Sequence, residues 1–177
     1  MMRNCSILAN YDGRLVCSAP EVTPIEGNWR TNRTVAILHF ATARQATSYL
    51  QSEPLVKQPD FMDGMDVCIV QAKGYPPRGK DLFVLADVNV YDTRRFAEEY
   101  VPQTAEIKNN GQVFVSAACH NPINHRGTWR PSLIILNQWG SEADYYSFYN
   151  SADYQPLKEL RQRITNSNVI SIMHKYE

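Results

Sequence analysis

Apolar and polar positions follow a regular order in the second half of the chain. Leu82-Phe83-Val84-Leu85-Ala86-Asp87-Val88-Asn89-Val90 is rich in β-formers and alternates late, which predicts a strand. Asp92 or Thr93 caps a helix running through Phe96, Tyr100 and Ile107 to a stop at Asn109-Asn110-Gly111. Gln112 to Ala118 reads as a strand, Cys119 to Arg130 as a polar loop, and Leu133 to Trp139 as a third strand. Ser141 caps a long helix from about Glu142 to Thr165, and Val169 to His174 closes as a strand. The order βαββαβ predicts an α+β, ferredoxin-like unit, with helices covering one face of a four-stranded antiparallel sheet.

The same signals recur about a hundred residues earlier. Gly13-Arg14-Leu15-Val16-Cys17-Ser18-Ala19 matches Gly111-Gln112-Val113-Phe114-Val115-Ser116-Ala117, and each precedes a Gly-x-Trp-Arg loop, Gly27 to Arg30 and Gly127 to Arg130. An apolar strand follows in both, Val35 to Phe40 and Leu133 to Trp139. Next come Tyr49-Leu50-Gln51-Ser52 and Phe148-Tyr149-Asn150-Ser151. Four features in one order predict a tandem repeat. The expected organisation is an incomplete repeat over 1–74, a linker over 75–80 built on Tyr75-Pro76-Pro77-Arg78-Gly79, and a complete repeat over 81–177. The first copy lacks its opening strand, which is central in this topology. Met1 to Tyr11 rebuilt as a strand, a strand from another chain, or a differently shared sheet are the open alternatives. The apolar surface so exposed predicts a homodimer.

Composition removes several classes of function. The 177 residues carry 18 Lys plus Arg and 18 Asp plus Glu, a formal charge of zero with no basic run, which argues against nucleic acid. With 44% hydrophobic and 11% aromatic residues the chain is expected to fold. No apolar run reaches the length of a membrane helix and no signal peptide is evident, so no membrane partner and a cytoplasmic location are expected. Cys5, Cys17, Cys68 and Cys119 form no close pair, and core thiols are the expected reading. No nucleotide-binding, serine-hydrolase or zinc-protease motif occurs, and no cofactor or metal is expected.

With Glu26-Gly27-Asn28-Trp29, Gly127-Thr128-Trp129-Arg130-Pro131, Phe148-Tyr149-Asn150-Ser151 and Tyr154-Gln155-Pro156-Leu157 in place, the chain resembles family 1330 of the domains of unknown function. The likeness covers 81–177 in full and 13–74 more weakly. It implies a dimeric α+β barrel, in which two sheets pack face to face and clefts lie between sheet and helices; a single chain supplies both halves here. Relatives in that superfamily include cofactor-independent monooxygenases, isomerases, cyclases and plain ligand binders, so the fold leaves the activity open. The family's Arg-Gly-Gly after the second strand is replaced by Ser18-Ala19 and Ala117-Ala118. Its glutamate before Gly-x-Trp stands as Glu26, opposite His125-Arg126 in the second copy.

The densest polar cluster is Cys119 to Arg126. His125 or His120 is a candidate base, Arg126 an oxyanion partner, and Glu26, beside Trp29, a second acid or base with a raised pKa. Tyr91 is a candidate positioning donor at a strand end, and Trp29, Arg30, Trp129 and Arg130 are candidate substrate contacts. Each has a plainer alternative: a solvated loop, a surface ion pair, tryptophans that plug the barrel. The expected function is small-molecule binding, with cofactor-independent acid–base chemistry on a small organic metabolite as isomerase, cyclase or monooxygenase. The alternative is a non-catalytic ligand-binding or structural module.

Overall fold

A computed structural model describes residues 7–29, 33–52, 64–74, 79–108 and 113–173. After a helical turn at 7–9 come β1 (Arg14–Ala19), β2 (Thr23–Glu26), β3 (Val35–His39), α1 (Ala43–Leu50) and β4 (Val67–Ile69). The second half holds β5 (Leu82–Val90), α2 (Thr93–Arg95), a π-turn (Phe96–Tyr100), α3 (Val101–Lys108), β6 (Val113–His120) and β7 (Ile123–Arg126). It ends with β8 (Leu133–Trp139), α4 (Glu142–Tyr149), α5 (Gln155–Ile164) and β9 (Thr165–Met173). The chain is therefore α+β with antiparallel sheets, as the sequence pattern predicts.

Among the described residues three sheets form: a five-stranded sheet in the order β2-β9-β5-β8-β6 and two strand pairs, β1-β3 and β4-β7. The apolar run Leu82 to Val90 is central in the large sheet because it is paired on both edges, with β8 from Leu82↔Trp139 and with β9 from Leu82↔Met173. One face of that sheet packs Val84, Val88 and Trp139 against Phe148, Leu157 and Ile164 of the helices. The other packs Phe83, Leu85, Ile170 and Ile172 against Cys17 and Ala19 of β1. A smaller cluster of Leu8 and Tyr49, flanked by Leu38 and Phe40, lies over the β1-β3 pair.

The two halves share irregularities as well as elements. β1 bulges between Leu15 and Cys17 where it pairs with β3, and β6 bulges between Val115 and Ala117 where it pairs with β8. β2 does not join its own half. It pairs with β9, Thr23↔Ser171 and Glu26↔Val169, while β7 pairs with β4, Ile123↔Ile69 and Arg126↔Val67. Each half thus lends a short strand to the other. A Gly with positive φ follows each lent strand, Gly27 at +75° and Gly127 at +87°. A β-carbon at Gly27 would lie 2.6 Å from Ser167 O, and one at Gly127 2.6 Å from Met65 O. Glycine is required at both turns by conformation and by contact.

Several expected boundaries move, each for a local reason. The single helix expected from Glu142 to Thr165 is two helices. Ser151 Oγ bonds Phe148 O and accepts from Tyr154 N–H, which closes the break, and Pro156 starts α5 where its missing N–H costs nothing. The last strand begins at Thr165, not Val169. Cys119 to Arg130 is not one polar loop: β6 runs to His120, Asn121 turns the chain at φ +49°, and β7 follows. The helix through Phe96 and Tyr100 carries a π-turn, in which Val101 N–H reaches Phe96 O. Pro102, next in the chain, has no N–H to give to Glu98 O, which accounts for the register slip. Residues 75–78 of the expected linker lie outside the described residues.

Candidate functional site

Strand β2 sets a carboxylate among the helices of the other half. Because Glu26 is opposite Val169, a residue of the sheet–helix core, its side chain leaves the sheet on the helical face. There it meets α5, whose buried stripe is Leu157, Arg161 and Ile164, so a guanidinium occupies a position the helical period reserves for an apolar residue. Arg161 Nη2 donates to Glu26 Oε1 at 2.5 Å, and Tyr149 Oη donates to the same oxygen. The ion pair is nearly dry, the two side chains being 8% and 13% exposed. Around it Tyr100 and Tyr154 share a hydroxyl hydrogen bond of 3.1 Å, and the Lys158 ammonium sits 3.8 Å over the Tyr149 ring.

These contacts determine the protonation states. Burial pushes the Glu26 carboxyl up, but the hydrogen bond and charge of Arg161, the Tyr149 hydroxyl and the Lys158 charge together hold it below its ordinary value. The expectation of a raised pKa is corrected: the side chain beside Glu26 is a guanidinium. Burial drives Tyr100, Tyr145 and Tyr149 well above the ordinary phenol range, so all three keep their protons. Burial works against the Arg161 charge, yet Glu26 and the surrounding groups raise it above its usual value. The cluster is a fixed carboxylate–guanidinium pair ringed by neutral phenols.

The opposite face of the large sheet opens into a basin of about 200 Å³ lined by Asp87, Asn89, Arg130, Ser132, Asn166 and Asn168. On β5 and β9 the apolar positions 83, 85, 170 and 172 give way to polar residues at 87, 89, 166 and 168 on the same face. Its rim is built by the Gly127 turn. Trp129 Nε1 donates to Asp87 Oδ2 at 2.8 Å, and Arg130 Nη1 donates to Gly127 O at 2.6 Å and Trp129 O at 3.2 Å. Ser132 Oγ donates to Asn89 Oδ1 at 3.2 Å. Trp129 also meets Trp29 edge to face, 5.6 Å between ring centroids, so the two Gly-x-Trp loops touch each other.

The residues expected to act together are distributed over separate surroundings. Arg130 lines the basin and Trp129 braces it, while Trp29 packs against Trp129; Arg30 lies outside the described residues. His120 ends β6, exposed; His125 is half-buried on β7 and Arg126 is exposed beside it. None of these three is among the residues lining this basin. Tyr91 follows the last residue of β5 and is 65% exposed, so its hydroxyl is a surface group instead of reaching into a cleft. Glu98 and Glu99 form surface pairs with Arg94 and Arg95. Among the described residues no group of three or more His, Cys, Asp or Glu is placed to hold a metal ion, and no helix is long and apolar enough to cross a membrane. Sequence reading missed Arg161, Tyr149, Asn89 and Asn166. The available signal was polar residues at 161, 89 and 166, in register with apolar neighbours.

Comparison with known proteins gives a family but no curated relative. One solved structure that matches is a Lactobacillus acidophilus NCFM protein, provisionally titled a monooxygenase, at 9% identity and a TM-score of 0.41. The match covers 86% of this chain and 75% of that one. No curated protein sequence matches. The family model described as "Domain of unknown function (DUF1330)" matches residues 81–174, the whole span from β5 to β9 and more than half of the chain. The basin, Arg161 and the second Gly-x-Trp turn all lie inside that span, and the chain belongs to the DUF1330 family.

Proposed function

We propose that this chain binds a small, strongly hydrophilic organic molecule in the basin formed by β5, β8 and β9. The observation that carries the reading is the lining: six polar side chains, three of them asparagines, on a face where the neighbouring positions of β5 and β9 are apolar. Asn89, Arg130, Ser132 and Asn166 are exposed and Asp87 and Asn168 half-buried, so the hydrogen-bonding groups converge on a surface concavity that a hydrophilic molecule can reach. Asp87 is the only carboxylate among these lining residues and already accepts the Trp129 N–H, so the basin favours recognition over proton transfer. We further read the chain as two units of one family fused in tandem. The support is the matched bulges, the two positive-φ glycines and the reciprocal loan of β2 and β7.

The test is a thermal-shift and calorimetry screen against glucose, sorbitol, glycine, serine and malate, with wild type beside Asn89→Leu and Asn166→Leu. A ligand at a hundred times its Kd adds about 2.7 kcal/mol. For a chain of this size that is a rise of roughly 5–10 °C. The expected result is such a rise for at least one compound in wild type and its loss in both variants. Absence of any shift, or an equal shift in the variants, overturns the proposal.

A further inference from the structure

The turn that carries Trp129 and Arg130 is held from the other half of the chain. Asp66, the residue before β4, accepts Thr128 N–H at 2.7 Å and Trp129 N–H at 2.9 Å, both on Oδ1. Its Oδ2 takes Arg33 Nη1 at 2.6 Å. Asp66 also closes over Gly127, where an added β-carbon would lie 2.8 Å from its Cα. The backbone hydrogen bond from Trp129, then those from Thr128 and Arg33, hold its carboxyl below the ordinary range despite desolvation. The equivalent place in the other half is filled by Asn168, which accepts Asn28 N–H at 2.9 Å and faces the basin itself.

We propose that Asp66 is a positioning residue for the basin: by fixing the 127–130 turn it aims the Trp129 indole at Asp87 and sets Arg130 at the rim. The inference rests on the basin being the ligand site, but its first observable does not. A single carboxylate oxygen bridges the two successive backbone N–H groups; the turn is also tied by Trp129 Nε1 to Asp87, by Arg130 to the turn's own carbonyls, and by Asn124 Nδ2 to Trp129 O at 2.7 Å. Without Asp66 the two N–H groups have no acceptor among the described residues, and the Trp29–Trp129 edge-to-face contact loses its brace.

Two edge-to-face indoles 5.6 Å apart couple their transitions, so their geometry is read by circular dichroism near the indole bands without any ligand. In Asp66→Ala the couplet should collapse while the far-ultraviolet spectrum and cooperative melting persist. In Asp66→Asn, whose amide oxygen accepts as Asn168 does, the couplet should return. For whichever of the five named compounds binds wild type, affinity should fall about tenfold or more in Asp66→Ala and recover in Asp66→Asn, as expected when a preorganised rim is loosened. Should Asp66→Ala not fold, Asp66→Ser, too short to reach both N–H groups, takes its place with the same expectation. A couplet unchanged in the Ala or Ser variant overturns the positioning role even if a ligand is found. A lost couplet with no compound bound to wild type upholds it and counts against the basin as ligand site.

Discussion

Replacing Glu26 by Gln removes one charge from a nearly dry ion pair and little else. The side chain keeps its length, and its amide oxygen still accepts from Tyr149 and Arg161. Two charges about 4 Å apart at an effective dielectric near 20 attract by about 4 kcal/mol. Breaking a buried pair by removing one partner costs about 3–5 kcal/mol, because the other charge stays behind uncompensated. With the acceptor retained, a loss of about 2–4 kcal/mol is expected at pH 7, a melting temperature lower by roughly 5–15 °C. The pH dependence has a fixed sign. The Glu26 carboxyl is held below its ordinary value in the fold, so near pH 4 the unfolded chain binds more protons than the native one. Its contribution is complete above the unfolded value and fades as pH falls through the native one. Urea melts of wild type and Glu26→Gln at pH 7, 5, 4 and 3 should show a gap that closes on acidification. An Arg161→Met partner completes a double-mutant cycle and should show strong coupling. Equal stability at pH 7, or a gap independent of pH, would refute the assignment of Glu26 as an ionised partner of Arg161.

Three further outcomes follow from single features. Gly127→Ala meets both a φ of +87° and Met65 O at 2.6 Å, whereas Gly79→Ala meets a φ of +77° and open space. The first should cost about 2 kcal/mol more than the second in chemical denaturation, and equal costs would deny the close approach. Cys17 is fully buried and burial pushes its thiol up to about 11, so it should resist a thiol reagent in the native protein and react at once in urea; fast native labelling of Cys17 would count against its place between β1 and the large sheet. Tyr91→Ala should shift stability by less than about 0.5 kcal/mol, as surface substitutions do, and a larger loss by calorimetry would show that the hydroxyl or ring is engaged.

What the sequence showed and what it hid have different physical origins. The run Leu82 to Val90 announced itself because a strand buried on both faces needs continuous apolar residues. Ser141 announced a helix start because its hydroxyl accepts Asp144 N–H. The strands β2 and β7 were hidden: four residues each, polar in part, they are strands only because β9 and β4 offer an edge. Arg161 was hidden for a related reason. Its partner Glu26 is 135 residues away, and nothing local to α5 shows that a charge in the apolar stripe is neutralised. The direction of the Glu26 shift was misread on the same ground, since a neighbouring tryptophan in sequence says nothing of a guanidinium arriving from another helix. The histidines drew attention as chemical types, whereas half of the basin's lining is asparagines, which are informative only through the sheet face they occupy.

The reciprocal loan of strands has a consequence for how the chain is made. Strand β2 cannot complete its pairing until β9 has been made: Thr23 to Glu26 wait for Val169 to Ser171, and Asn28 and its acceptor Asn168 are 140 positions apart. At ribosomal rates of about 5–20 residues per second, β2 spends roughly 10–30 s without its partner. The proline at position 24 and the glutamate at 26 sit on that waiting edge, and both residue types discourage a stray strand from joining it. The same two residues that shape the finished sheet therefore also protect the nascent one. Neither half has all its strand pairs without the other, because β2 pairs with β9 and β4 with β7.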